Sequence, residues 1–332
     1  MKIVSLFAGA GGLDLGFKNA GFDVVWANEY DREIWETYEK NHPGTALDRR
    51  SITEIKPEEI PDCIGIIGGP PCQSWSEAGA LRGIKDNRGQ LFFDFIRILK
   101  EKKPLFFLAE NVSGILFKRH NEAFQYLIEL FEDAGFIVSR NLVNAKNYGV
   151  PQDRKRVIIV GYNKSCFDKP FELPPQNKKI PVLKDAIGDL PAEALPGIGK
   201  NHSNGKNCGI ANHEYLTGGF SSIFMSRNRV RSWDEPSFTI QAGGRHAPLH
   251  PKAPKMEPVG KDARKFVAGK EGLYRRLSIR ECARVQTFPD SFTFYYNRIS
   301  SGYKMVGNAV PVKLAEALAL KIRHDLKMKG PG

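Results

Sequence analysis

The sequence predicts an α/β protein in which helices cover both faces of a mostly parallel sheet, together with a smaller irregular domain. Three observations indicate this fold class. Short apolar runs alternate with amphipathic stretches through the first half of the chain, the composition changes near residue 166, and helical periodicity returns near residue 278. Alternating strands and helices are typical of parallel sheets, because each parallel strand needs a crossover connection to reach the next.

The predicted strands and helices follow one another in order. Strands are predicted over Ile3 to Phe7, Asp23 to Ala27, Cys63 to Ile67 and Leu105 to Ala109, with Val157 to Tyr162 as a further candidate. Apolar residues recur with helical spacing over Leu13 to Ala20, Glu33 to Asn41, Phe92 to Lys100 and Ala123 to Ala134. Two more helices, Ser278 to Gln286 and Val312 to Leu326, are predicted near the end.

The segment 166–275 differs from the rest in composition. It contains 11 of the 21 prolines and 17 Lys+Arg against 11 Asp+Glu, a net charge of +6 over 110 residues. The other 222 residues carry the remaining +6, so positive charge is twice as dense in this segment. We therefore predict a discontinuous domain formed by residues 1–165 and 276–332, with a basic, irregular domain at 166–275.

The charge and cysteine content narrow the function classes. A formal net charge of +12 favours a polyanionic partner, because phosphate contacts release counterions from nucleic acid, although a basic protein without such a partner stays an alternative. Five cysteines do not suggest a disulfide framework and indicate a reducing compartment. The apolar run after Lys2 is too short for a signal peptide, and no stretch of 18 apolar residues occurs. We expect a cytoplasmic protein without a membrane segment.

A glycine-rich turn, Phe7-Ala8-Gly9-Ala10-Gly11-Gly12, follows the first predicted strand. Its glycines let the backbone turn tightly and approach a bound nucleotide. Glu29 lies at the end of the next strand, where a carboxylate can accept both ribose hydroxyls of a nucleoside cofactor. The spacing differs from the full Gly-x-Gly-x-x-Gly pattern of NAD-binding proteins, but NAD and a turn without a ligand both stay open at this point.

A cysteine lies on a stiff loop after the third predicted strand. The loop Gly68-Gly69-Pro70-Pro71-Cys72-Gln73-Ser74-Trp75-Ser76 has two prolines directly before the thiol, and they fix its direction. Open α/β sheets bind ligands at the carboxyl ends of their strands, where this loop starts. A lone cysteine is often a buried structural residue. The polar, rigid loop favours a nucleophile instead.

A carboxylate follows the next apolar strand, in the sequence Ala109-Glu110-Asn111-Val112. Directly after Leu105 to Leu108, Glu110 should be partly desolvated, a property that suits a group which must hold or donate a proton near neutral pH. The alternative is a solvated strand end or a helix cap.

Seven sequence blocks, in order, resemble the DNA cytosine-C5 methyltransferases. They are Phe7 to Gly12, Glu29, Pro70 to Gln73, Glu110 to Val112, Gln152 to Arg156, Arg280 to Gln286 and Gly307 to Pro311. The resemblance covers nearly the whole chain. Through the run Ser226 to Arg231, it is strongest to the GGCC-specific bacterial modification enzymes. It implies a Rossmann-like methyltransferase domain that uses S-adenosylmethionine, with a target-recognition domain at 166–275.

The resemblance also implies a reaction and the residues that perform it. Cys72 would bond to C6 of a cytosine flipped out of duplex DNA within GGCC, and C5 would receive the methyl group. Glu110 would hydrogen-bond or protonate N3, while Arg154 and Arg156 orient the base or its phosphate. The implied cofactor residues are Phe7, Ala8, Gly9, Gly11, Gly12, Leu13, Glu29, Tyr30, Ser51, Ile52, Pro70, Leu91, Asn308, Ala309 and Val310.

One position departs from the family pattern. The family usually has an Asp after the third strand, near the adenine amino group, whereas this chain has Ser51. Either Asp48 substitutes for it, or the backbone contacts the adenine.

Contacts with DNA are expected from two parts of the chain. Arg227, Arg229 and Arg245 lie in polar or glycine-rich context, and arginine is the preferred bidentate partner of guanine O6 and N7. Each could instead hold a phosphate. The loop 73–88, including Gln73 and Ser76, is expected to close over a groove of the DNA.

Alternatives follow from the same residues. His202, Cys208 and His213 could suggest zinc, but their spacing fits no established ligand pattern, so no metal is expected. An RNA cytosine-C5 methyltransferase shares the chemistry, and a non-catalytic DNA-binding module would explain the charge alone. We expect a monomer from a restriction-modification system, with no physical contact to a cognate endonuclease.

Overall fold

A seven-stranded sheet forms the centre of the protein, whose computed structural model describes residues 1–71 and 90–328. The strands are β1 (Lys2–Leu6), β2 (Asp23–Asn28), β3 (Ala46–Asp48), β4 (Gly65–Gly68), β5 (Phe106–Val112), β6 (Phe136–Asn144) and β7 (Lys155–Asn163). Their order across the sheet is β3-β2-β1-β4-β5-β7-β6. The first five are parallel, whereas β7 pairs antiparallel with both β5 and β6. The predicted mostly parallel sheet is confirmed.

Helices connect and flank these strands. They are α1 (Gly12–Asn19), α2 (Arg32–Asn41), α3 (Gln90–Lys102), α4 (Asn121–Asp133), α5 (Leu183–Ile187), α6 (Ile279–Val285), α7 (Ile299–Asn308) and α8 (Val312–Met328). No helix within the described ranges is long and apolar enough to cross a membrane.

Successive residues of the central strands point to opposite faces, and each face is covered by helices. Ile3 belongs to the core that includes Phe17 of α1 and Leu314 of α8. Its neighbour Val4 belongs to the core with Phe95 of α3 and Phe131 of α4. This two-sided burial explains why β1, β4 and β5 are nearly continuous apolar runs in the sequence.

Several elements were not predicted, among them β3, β6 and α7. Strand β6 lies at the sheet edge, where only Phe136 and Val143 are buried, so its sequence lacks an apolar run. Helix α7 contains Gly302 and Gly307, which pack closely against neighbours: a Cβ would lie 2.4 Å from Ile279 and 2.3 Å from the Gln241 backbone, respectively. Small residues at these contacts weaken the apolar periodicity on which the prediction depended.

The segment 166–275 is irregular, with a pair of two-residue strands, β8 (Leu195–Pro196) and β9 (Glu214–Tyr215), and a hairpin of β10 (Glu257–Gly260) and β11 (Ala263–Lys265). Phe224, Val230 and Tyr274 form a small core within this segment. Leu183 and Ile240 instead pack with α6 and α7. The segment is therefore anchored to the closing helices as well as to itself.

Candidate active site

A cleft of about 340 Å³ opens where β1, β2, β4 and β5 end. Parallel strands place the loops that follow them at one edge of the sheet, so distant sequence blocks meet there. The cleft is lined by several predicted site residues: Phe7, Ala8, Gly9, Gly12, Leu13, Glu29, Pro70, Glu110, Asn308, Ala309 and Val310. The predictions thus converge on one location, although the binding role of each residue stays a prediction.

The glycine loop between β1 and α1 has an unusual backbone. Phe7, Gly9 and Gly11 have φ angles of 55°, 57° and 83°, in the left-handed region. A Cβ at Gly11 would lie 2.0 Å from Nε2 of His42, and one at Gly12 would lie 2.5 Å from the carbonyl oxygen of Val310. Side chains at these two positions would push the loop away from its supports, so glycine is required on steric grounds.

Glu29 is held by two backbone N–H groups at the end of β2. Gly9 donates to its Oε2 and Asp31 donates to its Oε1, both at 2.8 Å. Burial raises the pKa of Glu29, and these two hydrogen bonds partly oppose the rise. Because a carboxylate oxygen accepts more than one hydrogen bond, each oxygen can still accept a hydroxyl from a ligand in the cleft.

Glu110 and the proline loop lie side by side. Oε1 of Glu110 lies 2.7 Å from Nε of Arg156, an ion pair in which both side chains are about nine-tenths buried. Asn111 donates to the carbonyl oxygen of Pro70 at 2.9 Å, which fixes the loop against the end of β5. Pro71 lines the cleft. Cys72, Gln73 and Ser76 lie outside the described residues.

Arg154 is placed differently from the prediction. Its side chain is fully buried, and its guanidinium donates to the carbonyl oxygens of Ile240, Gly307 and Ala309 at 2.8 to 3.0 Å. In this position it cannot contact a base or a phosphate. Arg154 instead fixes the backbone on both sides of Asn308, and only Arg156 of the predicted pair lies beside Glu110.

Two glutamines complete the support of this backbone. Gln286 donates to the carbonyl oxygens of Val306 and Ala309 at 2.8 and 3.2 Å, and it accepts a hydrogen bond from Gln152 at 2.8 Å. Three separate sequence blocks therefore meet in one buried network under the cleft. Buried hydrogen bonds of this kind restrict the movement of the loop that they support.

Some predicted cofactor residues do not line the cleft. Ile52 is buried in the core, and Ser51 Oγ accepts a hydrogen bond from the Thr53 N–H at the start of a short 3-10 helix. The carboxylate of Asp48, one of the two alternatives considered for the missing family Asp, is paired with Arg50 at 2.7 Å. Three more predicted cofactor residues lie outside the cleft lining. Gly11 packs against His42, Leu91 is partly buried at the start of α3, and Tyr30 is 72% exposed.

Other residues line the cleft without having been predicted. Asp14 is fully buried under the glycine loop and accepts hydrogen bonds from Ser5 and Tyr38, both at 2.6 Å. Asp31 and Lys304 lie at the rim and form an ion pair. One feature of the sequence could have indicated Lys304: it precedes the Gly307 to Pro311 block by one helical turn.

Comparison with known proteins identifies the family. Residues 1–324 match the model of the C-5 cytosine-specific DNA methylases. The chain belongs to this family. It is a C-5 cytosine DNA methyltransferase of the type found in Type II restriction-modification systems.

Individual relatives agree with the family model. The chain is 58% identical over 333 residues to the Type II methyltransferase M.FnuDI of Fusobacterium nucleatum, covering 99% of this chain and 96% of the relative. It is 59% identical over 330 residues to M.MthTI of Methanothermobacter thermautotrophicus, covering 98% of each. Among solved structures, a protein described as a DNA modification methyltransferase encoded within an E. coli prophage has a TM-score of 0.75 at 25% identity. That match covers 98% of this chain and 99% of the other.

The arginines predicted to contact DNA differ in this methyltransferase. Arg229 donates to the carbonyl oxygens of Phe224 and Ile223 at 2.9 Å, and its guanidinium lies 4.9 Å from the Phe224 ring. Arg227 and Arg245 are exposed and have no hydrogen bond or ion pair to any described residue. Gly244, directly before Arg245, packs closely on α7. A Cβ at this position would lie 2.6 Å from the Tyr303 ring.

His213, one of the residues considered for zinc, uses both ring nitrogens within the protein. Nδ1 lies 2.9 Å from the Ser278 hydroxyl and Nε2 lies 2.8 Å from the carbonyl oxygen of Pro191. Within residues 1–71 and 90–328, no three His, Cys, Asp or Glu side chains are grouped as metal ligands.

Proposed function

We propose that this enzyme transfers a methyl group from S-adenosylmethionine to C5 of a cytosine in GGCC sequences of duplex DNA, with Cys72 as the nucleophile. One observation supports this most strongly in a chain of this family. Glu29, Glu110 and Pro71, the residue before Cys72, line one cleft. A nucleoside cofactor and a target base can therefore be brought to the same place.

The cleft fits the adenosyl cofactor. Its size is within the range of small-molecule sites. Glu29 offers carboxylate oxygens to the ribose hydroxyls, and the glycine loop allows close approach of the backbone. Asn308 to Val310 complete the site from the opposite side. When bound, the cofactor supplies an electrophilic methyl group.

The protein groups act on the cytosine in a fixed order. The Cys72 thiolate adds to C6, which makes C5 electron-rich. Glu110 holds a proton or hydrogen bond at N3 and stabilises the charge that develops in the ring, and Arg156 keeps Glu110 in place. After C5 has gained the methyl group it loses its proton to a base. The electron pair of that C–H bond then expels Cys72 and restores the aromatic ring.

The target base must leave the DNA stack to reach this cleft, as is general for enzymes that modify a base within a duplex. We propose that segment 166–275 is the target-recognition domain that holds the duplex while the base is flipped. Its doubled charge density suits phosphate contacts. The free guanidinium groups of Arg227 and Arg245 suit guanine edges.

A methyl-transfer assay tests this proposal directly. Tritium from labelled S-adenosylmethionine is counted in three substrates: a duplex containing GGCC, a duplex with those four bases permuted, and transfer RNA. We expect label in the GGCC duplex alone. Equal labelling of the permuted duplex would disprove the target sequence, and labelling of transfer RNA alone would disprove the DNA substrate.

A further inference from the structure

Lys304 lies on the face of α7 that borders the cleft. Lys304, Met305 and Asn308 line the cleft together. Asn308 follows the other two by four and three positions, the spacings that place side chains on one side of a helix. Lys304 is thus one helical turn from the backbone that the buried Arg154 and Gln286 support. Neither the mechanism above nor the predicted site assigns a role to this side chain.

The ammonium group of Lys304 contacts the start of α2, on the other side of the cleft mouth. Its Nζ lies 2.5 Å from Oδ2 of Asp31 and 3.5 Å from Oε2 of Glu33. Asp31 uses its other carboxylate oxygen to cap α2, accepting from the Glu33 N–H at 3.1 Å. Lys304 therefore restricts the side chain of Asp31, the residue that also caps α2.

Asp31 links Lys304 to Glu29. The backbone N–H of Asp31 donates to Oε1 of Glu29 at 2.8 Å, in the turn between β2 and α2. Three carboxylates, Glu29, Asp31 and Glu33, thus lie along this turn. Lys304 is a positive group that pairs with Asp31 and Glu33 and also acts on Glu29. Without this cation, their mutual repulsion would favour a different arrangement of the turn.

The same contact is a weak contributor to folding. The Lys304 side chain is 42% exposed, and exposed ion pairs contribute little to the free energy of unfolding. Loss of the Lys304–Asp31 contact should therefore have a local effect. It should change the geometry of the turn that presents Glu29 and the distance between α2 and α7 across the cleft.

We propose that Lys304 is a positioning residue for the nucleoside cofactor. By pairing with Asp31 it holds the turn that directs Glu29 toward the ribose hydroxyls, and it ties Asn308 to the same end of the cleft. This inference rests on the proposed cofactor site.

Calorimetric titration of the full-length protein with S-adenosylmethionine and S-adenosylhomocysteine tests it. Lys304→Met keeps an unbranched side chain, one atom shorter, and removes its charge, whereas Lys304→Arg keeps the charge. We expect Lys304→Met and Asp31→Asn each to weaken binding roughly fivefold, equivalent to about 1 kcal/mol. The double variant should be no weaker than either, because both changes break one contact. Lys304→Arg should bind nearly as wild type does.

Lys321→Met provides a matched control. Lys321 pairs with Asp325 at 2.6 Å on α8, and it does not line the cleft. We expect its cofactor affinity to equal that of wild type, and the thermal midpoints of all variants to stay close together. Wild-type affinity in Lys304→Met, or additive losses in the double variant, would overturn the role of Lys304. No binding by the wild type would instead overturn the proposed cofactor site.

Discussion

At the residue scale, arginines that are close together in the sequence differ in burial and in their contacts. Arg154 and Arg156 are two residues apart in one sequence block, but the first is fully buried on backbone carbonyls and the second lies beside Glu110. Arg227 and Arg229 show the same contrast: the second is bonded to carbonyl oxygens and the first is exposed. In neither pair do both arginines lie within one helix or strand, so the local backbone sets the direction of each side chain separately.

This contrast leads to a prediction about target specificity. Arg227→Ala and Arg245→Ala should each remove a base contact worth about 1–3 kcal/mol of discrimination, and so relax the preference at one base pair of GGCC. Arg229→Ala should lower methylation at every site alike, because it removes support for the Ile223 and Phe224 backbone. Bisulfite sequencing of a mixed-sequence duplex treated with each variant measures methylation at every site and so distinguishes a relaxed preference from a uniform loss.

Uniform loss at all sites for Arg227→Ala and Arg245→Ala would identify these side chains as phosphate contacts. A relaxed preference in Arg229→Ala would show that this arginine leaves its carbonyl partners when DNA binds.

The residue types at the cleft were predictable because their chemistry is distinctive. Glu29 and Glu110 each follow an apolar strand, and strand ends of a parallel sheet converge. Asp31 and Lys304 were missed because an exposed charge on a helix usually contacts water, and nothing in their spacing showed that they meet across the cleft.

At the element scale, α6 joins segment 166–275 to the catalytic core through buried charges. Arg275 donates to both carboxylate oxygens of Glu281 at 2.6 and 2.7 Å, and Glu281 is fully buried. Burial, the largest single effect, would raise the pKa of Glu281. The hydrogen bonds and charge of Arg275, together with His250 and the Ser278 N–H, outweigh it and lower the pKa. His250 lies 3.5 Å from the same carboxylate.

His250 should make the stability of this junction depend on pH. Burial lowers its pKa to about 4, opposed by Glu281 and reinforced by Arg275, Lys252 and His213. An unfolded histidine titrates near pH 6.5, so acidification charges the unfolded chain first and favours unfolding. The stabilising effect is complete above that pH and is lost toward pH 4. Between pH 7 and pH 5 it should reduce the free energy of unfolding by roughly 2 kcal/mol.

Urea unfolding of wild type and His250→Asn at several pH values measures this contribution. Asn can still accept the Lys252 N–H, which His250 Nδ1 accepts at 3.1 Å, but it does not titrate. The variant should lose less stability on acidification than the wild type. Parallel curves for the two proteins would contradict the assignment.

Elements buried on both sides were predictable, and those at edges or in close packing were not. Strands β1, β4 and β5 are nearly continuous apolar runs, whereas β6 mixes Ser139, Arg140 and Asn141 into an edge strand. Strand β6 pairs with β7 along its whole length, from Phe136 opposite Asn163 to Asn144 opposite Lys155.

At the scale of the whole molecule, the order of the strands determines where chemistry can occur. Because β1 lies between β2 and β4, the loops that carry Gly9, Glu29 and Pro70 are neighbours although they are far apart in sequence. The return of the chain through α7 and α8 brings Asn308 to the same edge. The alternation of strands and helices predicted this class of sheet. It also indicated a strand at β7 but not its antiparallel direction, and it did not indicate β6.

The covalent step through Cys72 is the central claim, and one measurement tests it most directly. A duplex whose GGCC cytosines are replaced by 5-fluorocytosine is incubated with the enzyme and S-adenosylmethionine. Fluorine cannot leave C5 as the proton does, so Cys72 cannot be expelled after methyl transfer. We predict a protein–DNA adduct that survives a denaturing gel and is absent for Cys72→Ser. If wild type methylates the ordinary duplex but leaves no adduct on the fluorinated one, or if Cys72→Ser forms it equally, the covalent mechanism is contradicted.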